Sequence, residues 1–356
     1  MSLEATQESA QSVARCWAMT TGEVGMRNQA EGLAGMLDAR FDAHIVKLSR
    51  ILCIVPPHWL FSRRGWCLGS ALWARLLLKH ADFRPPWPEV LVTCGRRSVA
   101  FALALRMVSR RRTMTIHIQD PRVPLSAFDL VVLPEHDTHR RVRDCDRDHV
   151  LTMRGAMHPL TRADQVAEGT PPWGDLPRPR IGVLLGGKSR AYDLRASDVD
   201  VIMQQLRASL HLAGGGSVLF VPSRRTGTEI QAEIRKRITG IPHYFWDGSD
   251  PNPYRRVLEE ADFLCVTGDS VSMLSEACFT GKPVYILGVS GHSDRIAAFH
   301  ESLLSHNHAR WLQDLDPSWV PQRLDGVEEV VSEISARIEW RKERSVNGPG
   351  GTLLST

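Results

Sequence analysis

The sequence predicts an α/β protein made of two doubly wound domains, each a parallel sheet with helices on both faces. Two observations predict it. Short apolar runs alternate with longer amphipathic ones along all 356 residues, the pattern of strands joined by crossover helices. That pattern also starts twice. Both halves open with a strand, a glycine-bearing loop and a helix, and 356 residues is long for one domain and suited to two of about 170 each.

In the first half the opening strand is Cys16-Trp-Ala-Met and the loop is Thr21-Gly-Glu-Val-Gly-Met-Arg-Asn. The helix after it carries Ala30, Leu33, Ala34 and Leu37 on one face. Strands are expected at 44–48, Val90–Thr93, Thr115–Gln119 and Leu130–Leu133, with a helix over 98–108. From Pro159 to Pro179 the periodicity is lost, and the Pro/Gly content of that stretch suits an interdomain linker.

The second half restarts with strand Ile181–Leu185, loop Gly186-Gly-Lys-Ser-Arg and a helix from about Ser197. Val199, Ile202, Met203, Leu206 and Leu210 form its apolar stripe. Strands are expected at Val218–Val221, His243–Trp246, Phe263–Thr267 and Val284–Leu287, and helices near 227–238 and 270–280. A last helix has Val327, Val330, Val331, Ile334 and Ile338 on one face. The expected domains are 1–165 and 166–335, with a C-terminal helix, 336–356, packing back on the first. In both, ligands belong at the carboxyl edge of the strands, so the two sites are expected to face one cleft.

Composition narrows the class. Apolar residues are 43% and charged residues 24%, with a net charge of +4, which describes a globular chain. That charge favours an anionic ligand or an anionic membrane surface and is far too small for a nucleic-acid binder. The seven cysteines never form a C-x-x-C pair, so no disulfide framework and no zinc site is expected, and the reading is cytoplasmic. Residues 1–15 lack a signal pattern, and no apolar run approaches the roughly 18 residues of a membrane span.

The most informative segment is 261–287. A buried strand ends at Thr267, Gly268 permits a tight turn, and Asp269 or Ser270 can cap a short helix. At 100° per residue Asp269, Ser272 and Glu276 fall within about 60° of one another, opposite Val271, Leu274, Ala277 and Cys278. Free amides at the helix start, with Ser270, Ser272 and Met273 around them, would bind a phosphate. Glu276, one turn deeper, suits the two hydroxyls of a ribose. The same pattern also suits a capped helix whose polar face merely meets solvent. Two further loops follow strands directly. Gly186, Gly187, Lys188, Ser189 and Arg190 could cradle a diphosphate, without the spacing of a Walker P-loop. Ser223, Arg224, Arg225 and Thr226 offer an arginine fork.

These residues carry a family resemblance. The run from Asn252-Pro-Tyr through Val266-Thr-Gly-Asp-Ser-Val-Ser-Met-Leu-Ser-Glu-Ala to Thr280-Gly-Lys-Pro-Val resembles the plant and bacterial mitochondrial-fission ELM family. So do Gly95-Arg-Arg-Ser98, Asp120-Pro-Arg122, Pro134-Glu-His-Asp137, Gly155-Ala-Met-His158 and Ser223-Arg-Arg-Thr226. That family is similar to GT-B glycosyltransferases, which implies two Rossmann-like domains. Its bacterial members are regarded as sugar transferases of envelope polysaccharides and its plant members as fission factors at the mitochondrial outer membrane. The Asp269–Pro283 segment is similar to the donor-site helix of the peptidoglycan N-acetylglucosamine transferase, where a glutamate in the position of Glu276 holds the donor ribose. Gly22-Glu-Val-Gly25 departs from the glycine-richer acceptor loop of that transferase.

The chemistry that follows is sugar transfer from a nucleoside-diphosphate sugar to a cell-envelope glycan or lipid-linked acceptor. The departing diphosphate would be stabilised by a helix N-terminus with Lys188, Arg190, Arg224 or Arg225, without metal or cofactor. A base near the acceptor would come from Glu23, His117, Asp120, His136 or Asp137, with Asp120 and Asp137 foremost for their places just past strands. As turn-forming carboxylates they would need no catalytic role. His136, His139, Asp144 and Asp146 fit no metal-ligand spacing and are expected in a solvated loop. Between Trp59 and His80, aromatic and leucine residues mingle with Arg63, Arg64, Arg75 and Lys79, which suits either core packing or peripheral docking at an anionic membrane, the inner membrane. Two other readings share the fold: a non-catalytic adaptor recruiting a membrane-associated partner, and a nucleotide-sugar epimerase.

Overall fold

The computed structural model describes residues 16–38, 40–47, 74–79, 81–138, 142, 144–160, 170–249, 251–316 and 318–346. They fall into two compact units. One comprises Met1–Leu133, Arg143–Leu151 and Val331–Thr356, the other Pro134–Val142 and Thr152–Val330.

The first unit runs β1 (Cys16–Thr20), α1 (Val24–Leu37), β2 (Asp42–Ile45), β3 (Val90–Cys94), α2 (Val99–Val108), β4 (Met114–Ile118), β5 (Leu130–Pro134) and, after a short excursion, β6 (Val150–Met153). Its sheet order is β2-β1-β3-β4-β5-β6. The pairs β1–β2, β1–β3, β3–β4 and β4–β5 are parallel. Strands β1, β3, β4 and β5 are buried at every position, because helices cover a parallel sheet on both faces. That explains why they read as unbroken apolar runs rather than as alternation. In α1, Ala30, Leu33 and Ala34 are buried, as their 3.6-residue spacing implies.

The second unit begins with α3 (Glu135–Thr138). It then runs β7 (Arg180–Leu185), α4 (Ala196–Leu212), β8 (Ser217–Pro222), α5 (Thr228–Arg237), β9 (His243–Phe245), α6 (Tyr254–Glu260), β10 (Phe263–Thr267), α7 (Val271–Phe279), β11 (Val284–Leu287), α8 (Asp294–Ser305) and β12 (Arg310–Trp311). The final helix, α9, spans Gly326–Val346. Sheet order is β12-β11-β10-β7-β8-β9, every pair parallel. Relabelled from its own first strand this is 3-2-1-4-5-6, the Rossmann order, whose direction reverses between β7 and β10.

Alternation along β7 divides the core of this unit. Ile181, Val183 and Leu185 join the α4 stripe Val199, Ile202, Met203, Leu206 and Leu210 on one face. Leu184 joins Leu264, Val266, Leu274, Ala277 and Cys278 on the other. The α7 helix therefore buries the side its sequence offers, and its first turn starts where β10 ends. Trp173, inside the stretch expected to be a linker, is buried in that second core and packs on Tyr244 at 5.7 Å.

Candidate functional site

In an open α/β sheet the loops at the strand reversal splay apart and leave a crevice at the carboxyl ends. In the second unit those loops follow β7 and β10, and they hold Gly186–Arg190 and Gly268–Ser272. The β8 loop with Ser223–Thr226 adjoins them. The structure thus brings the sequence-selected residues of these three loops to one sheet edge.

The β7 loop binds its neighbours before it could bind a ligand. The Gly186 amide donates to Thr267 Oγ1 at 2.7 Å, the Gly187 amide to Asp269 Oδ2 at 3.1 Å, and the Lys188 amide to the Arg225 carbonyl at 3.1 Å. The Ser189 amide donates to the Tyr192 carbonyl at 2.8 Å. A diphosphate cradle made of these amides, as the loop suggests in sequence, is therefore not available. Its side chains are another matter: Lys188, Ser189 and Arg190 are exposed. Gly187 has φ +155, and a Cβ there would fall on the Arg225 backbone, so the close crossing of the β7 and β8 loops requires glycine.

Asp269 differs from the expectation in where it points. It lies in the turn before α7, is 5% exposed, and its Oδ2 pairs with Arg225 Nη1 at 2.9 Å besides accepting from Gly187. It clasps the two loops instead of joining Ser272 and Glu276 on a polar stripe, and it takes up one arm of the arginine fork. Ser223 and Thr226 complete the clasp, with Ser223 Oγ donating to the Gly186 carbonyl at 3.1 Å and Thr226 Oγ1 to the Leu185 carbonyl at 3.0 Å. Arg224 is exposed.

What α7 presents is its start and its second turn. Ser270 is the N-cap residue without a side-chain capping bond, and the amides of Val271, Ser272 and Met273 stand ahead of the first intrahelical bond, Leu274 to the Ser270 carbonyl at 3.1 Å. Ser272 and Met273 are half-buried. Glu276 is 8% exposed, and the Tyr254 hydroxyl donates to its Oε2. Burial pushes its carboxyl up to about 7, against the Tyr254 hydrogen bond and the nearby Arg255, which favour the charged form. Tyr254 is the functional neighbour that sequence reasoning passed over. It stood in the Asn252-Pro-Tyr motif, but nothing local pairs it with a residue 22 positions on.

The Gly281-Lys-Pro turn and the Gly155–His158 segment serve as scaffold for α7. Lys282 of the Gly-Lys-Pro turn donates to the carbonyls of Glu259 and Ala261, the latter at 2.8 Å, and so caps the C-terminal end of α6. The Ala156 amide of Gly155-Ala-Met-His158 donates to Ser275 Oγ at 2.9 Å, and His158 packs on Phe279 at 4.7 Å. A groove of about 800 Å³ runs beside the β7 and β8 loops along α4 and α5, lined by Lys188, Arg195, Arg225, Thr228 and Lys236 among others. It borders the loops but includes neither Ser272 nor Glu276. Those two residues stand on α7, beside the strand reversal.

The base candidates fall in different units. In the first, Glu23 lies at the reversal between β1 and β3, where Thr21 Oγ1 donates to it and the positive charge of Arg97 acts on it. These hold its carboxyl below the usual range, with the Thr21 bond the largest cause. Asp120 caps its own turn, accepting from the Arg122 amide at 2.9 Å and pairing with Arg122 Nε at 3.1 Å. Asp137 is in the second unit on α3, ion-paired with Arg295 of α8 at 2.9 Å. His117 is a core histidine, fully buried, 2.8 Å from Thr93 Oγ1 and packed on Phe128, with burial pushing it down to about 3. His136 packs on Phe299 at 5.5 Å and is held by burial at about 4. Burial makes both histidines weak bases, and His117 is enclosed in the core out of a substrate's reach. His139 lies outside the described residues, as do residues 1–15 and most of the Trp59–His80 segment. Of the latter, Ala74, Leu77 and Leu78 are buried and Leu76 is exposed. Among the described residues no helix is long and apolar enough to cross a membrane.

The family model described as mitochondrial fission ELM1 matches residues 24–338. This chain belongs to that family. A mitochondrial fission protein ELM1 of Arabidopsis thaliana is 31% identical over 291 residues, covering 74% of this chain and 67% of that protein. An uncharacterised protein of Rickettsia prowazekii (strain Madrid E) is 23% identical over 302 residues, 76% of this chain and 82% of its own length. Among solved structures, a UDP-N-acetylglucosamine 2-epimerase is similar with a TM-score of 0.55 at 11% identity, over 97% of this chain and 99% of the other. The UDP-GlcNAc 2-epimerase of Methanocaldococcus jannaschii gives 0.53 at 11%, over 91% and 99%. At such identities the likeness speaks for the fold alone. This member of the ELM family has the GT-B-type α/β fold, with two six-stranded sheets.

Proposed function

We propose that this protein binds a nucleoside-diphosphate sugar at the β7/β10 edge of its second unit and transfers the sugar to an envelope glycan or lipid-linked acceptor. One observation carries the reading: a nearly buried carboxylate, Glu276, stands on the turn behind a helix start whose first amides have no partner among the described residues. A ribose cis-diol needs an acceptor and a diphosphate needs donors, in that spacing. Gly186 and Gly187 shape the edge, with Asp269 and Ser223 clasping it. Lys188, Ser189, Arg190, Arg224 and Arg225 supply donors, and Ser270, Ser272 and Met273 surround the helix start. Cations and amides aimed at the leaving diphosphate would stabilise charge as it develops. Glu23, Asp120 and Asp137 remain the proposed bases.

The solved structures of similar fold are named for UDP and UDP-sugars, which makes these the first probes. A metal-free thermal-shift series should show stabilisation that grows with ligand concentration, about 2.7 kcal/mol at a hundredfold excess over Kd. Glu276→Ala, folded by circular dichroism, should lose most of it. Silence across uridine, guanosine, adenosine and thymidine diphosphates and their sugars would overturn the reading. It would favour the non-catalytic adaptor reading.

A further inference from the structure

We infer that Tyr254 is the positioning residue for Glu276: its hydroxyl fixes one carboxylate oxygen so that the other is aimed at, and kept charged for, the ribose hydroxyls of the donor. The inference rests on the nucleotide reading above and adds to it a residue, a hydrogen bond and a pH range.

The geometry is asymmetric about the carboxyl group. Oε2 accepts from Tyr254. Oε1 has no hydrogen-bond partner among the described residues, yet it is not among the buried polar atoms sealed from solvent. One oxygen is thus committed and the other is open. Tyr254 is itself held at three points. Its amide donates to Asn252 Oδ1 at 2.9 Å, Lys282 caps the far end of α6, and Val257 and Leu258 of that helix are buried in the core beside Leu274.

Among the described residues, the charged and titratable groups that act on Glu276 are Tyr254 and Arg255, both of α6. The strands under α7 contribute Cys265 and Tyr285, and both belong to the core on the opposite face of the sheet. Burial is the largest influence and opposes ionisation, so the balance lies near neutrality, at about 7. A protonated carboxyl carries an O–H where the diol needs an acceptor. Removing the Tyr254 hydroxyl leaves burial less opposed, and the carboxyl then holds its proton to higher pH.

The test uses Tyr254→Phe, which keeps the ring and removes only the hydroxyl, in the full chain with UDP-N-acetylglucosamine. Neither the diphosphate nor the uracil of that probe loses a proton near neutral pH, so a titration there belongs to the protein. Wild-type affinity should fall as pH drops through about 7. In Tyr254→Phe the midpoint should move up by about one to two pH units, the worth of a hydrogen bond to a charged group. At pH 7 the affinity should then be roughly tenfold weaker, and the loss should shrink to about twofold or less by pH 9. A ¹³C NMR titration of the ligand-free Glu276 carboxyl should show the same shift. As a second variant, Glu276→Gln should bind weakly and without this pH dependence. An unchanged midpoint, or an equal loss at every pH, would overturn the inference, as would a Glu276→Gln profile like that of the wild type. If the wild type binds no nucleotide sugar, the nucleotide reading falls and the ribose role with it. The ligand-free titration still decides separately whether Tyr254 controls the carboxyl.

Discussion

Glu276, the proposed ribose partner, shows what a buried carboxylate does to its own protein. Its pKa is raised to about 7 from an ordinary 4.5, chiefly by burial. The folded state therefore holds a proton that the unfolded chain has released between those values. Stability from this group is present in full below pH 4.5, falls as pH rises toward 7, and is flat above. Glu276→Gln has no such loss. Relative to wild type it should gain on the order of 3 kcal/mol between pH 4.5 and 8 in urea denaturation without ligand. A wild-type and variant pair whose difference does not change with pH would mean the carboxyl ionises freely. The sequence made Glu276 legible because helical periodicity fixes its angle around α7. It could not orient Asp269, which lies outside the helix and is turned by Gly187 and Arg225, 82 and 44 residues away.

At the scale of elements, what read clearly was what burial imposes. Phe263–Thr267 and Val284–Leu287 have the same limits in sequence and structure, because each is an apolar run cut off by glycine, proline or a polar turn. The two-residue β12 and the strand β6, part-exposed over three of four positions, carry no such signal. Helices α6 and α8 escaped too, the first for its seven residues and the second for the few apolar residues it buries. The α6 helix owes its place to a residue that propensity would reject in a strand. At Gly182 in β7, a Cβ would stand 2.7 Å from Val257 of α6 and 2.7 Å from Leu264 of β10. Gly182→Val should therefore push α6 outward, at about 1–3 kcal/mol or more in urea denaturation. Since α6 carries Tyr254, it should also move the pH midpoint of UDP-N-acetylglucosamine binding upward, as Tyr254→Phe does. A destabilised variant with an unshifted midpoint would separate the packing of α6 from the control of Glu276.

For the whole molecule, the alternation of strands and helices conveyed two Rossmann-like sheets, since each has its own run of buried strands. How the chain is shared between the two units rests on long-range contacts that local composition does not encode. Pro134–Val142 groups with the second unit, while Arg143–Leu151 and everything from Val331 on group with the first. The terminal stretch supplies the first unit with Ile334, which is fully buried, and with two arginines. Arg337 donates to the Asp148 carbonyl at 2.7 Å, and Arg341 lies 3.4 Å from Asp129. Burial would raise the Asp129 carboxyl, but Arg106 at 3.0 Å, the Thr115 amide at 2.8 Å and Arg341 together hold it below its ordinary value. A chain stopped after residue 330 loses the Ile334 side chain and one of these partners, and should lose about 3–5 kcal/mol, chiefly from the first unit. Asp129 stabilises above its ordinary pKa and ceases to as pH falls through the depressed one, so the truncated chain should also show a shallower loss of stability in acid. Calorimetry of the truncated chain should show one transition lowered and the other in place. The transition in place should be the one that UDP-N-acetylglucosamine raises, because the proposed donor residues from Gly186 to Glu276 all lie in the second unit. A single lowered transition that no longer responds to ligand would mean that the second unit does not hold the ligand on its own.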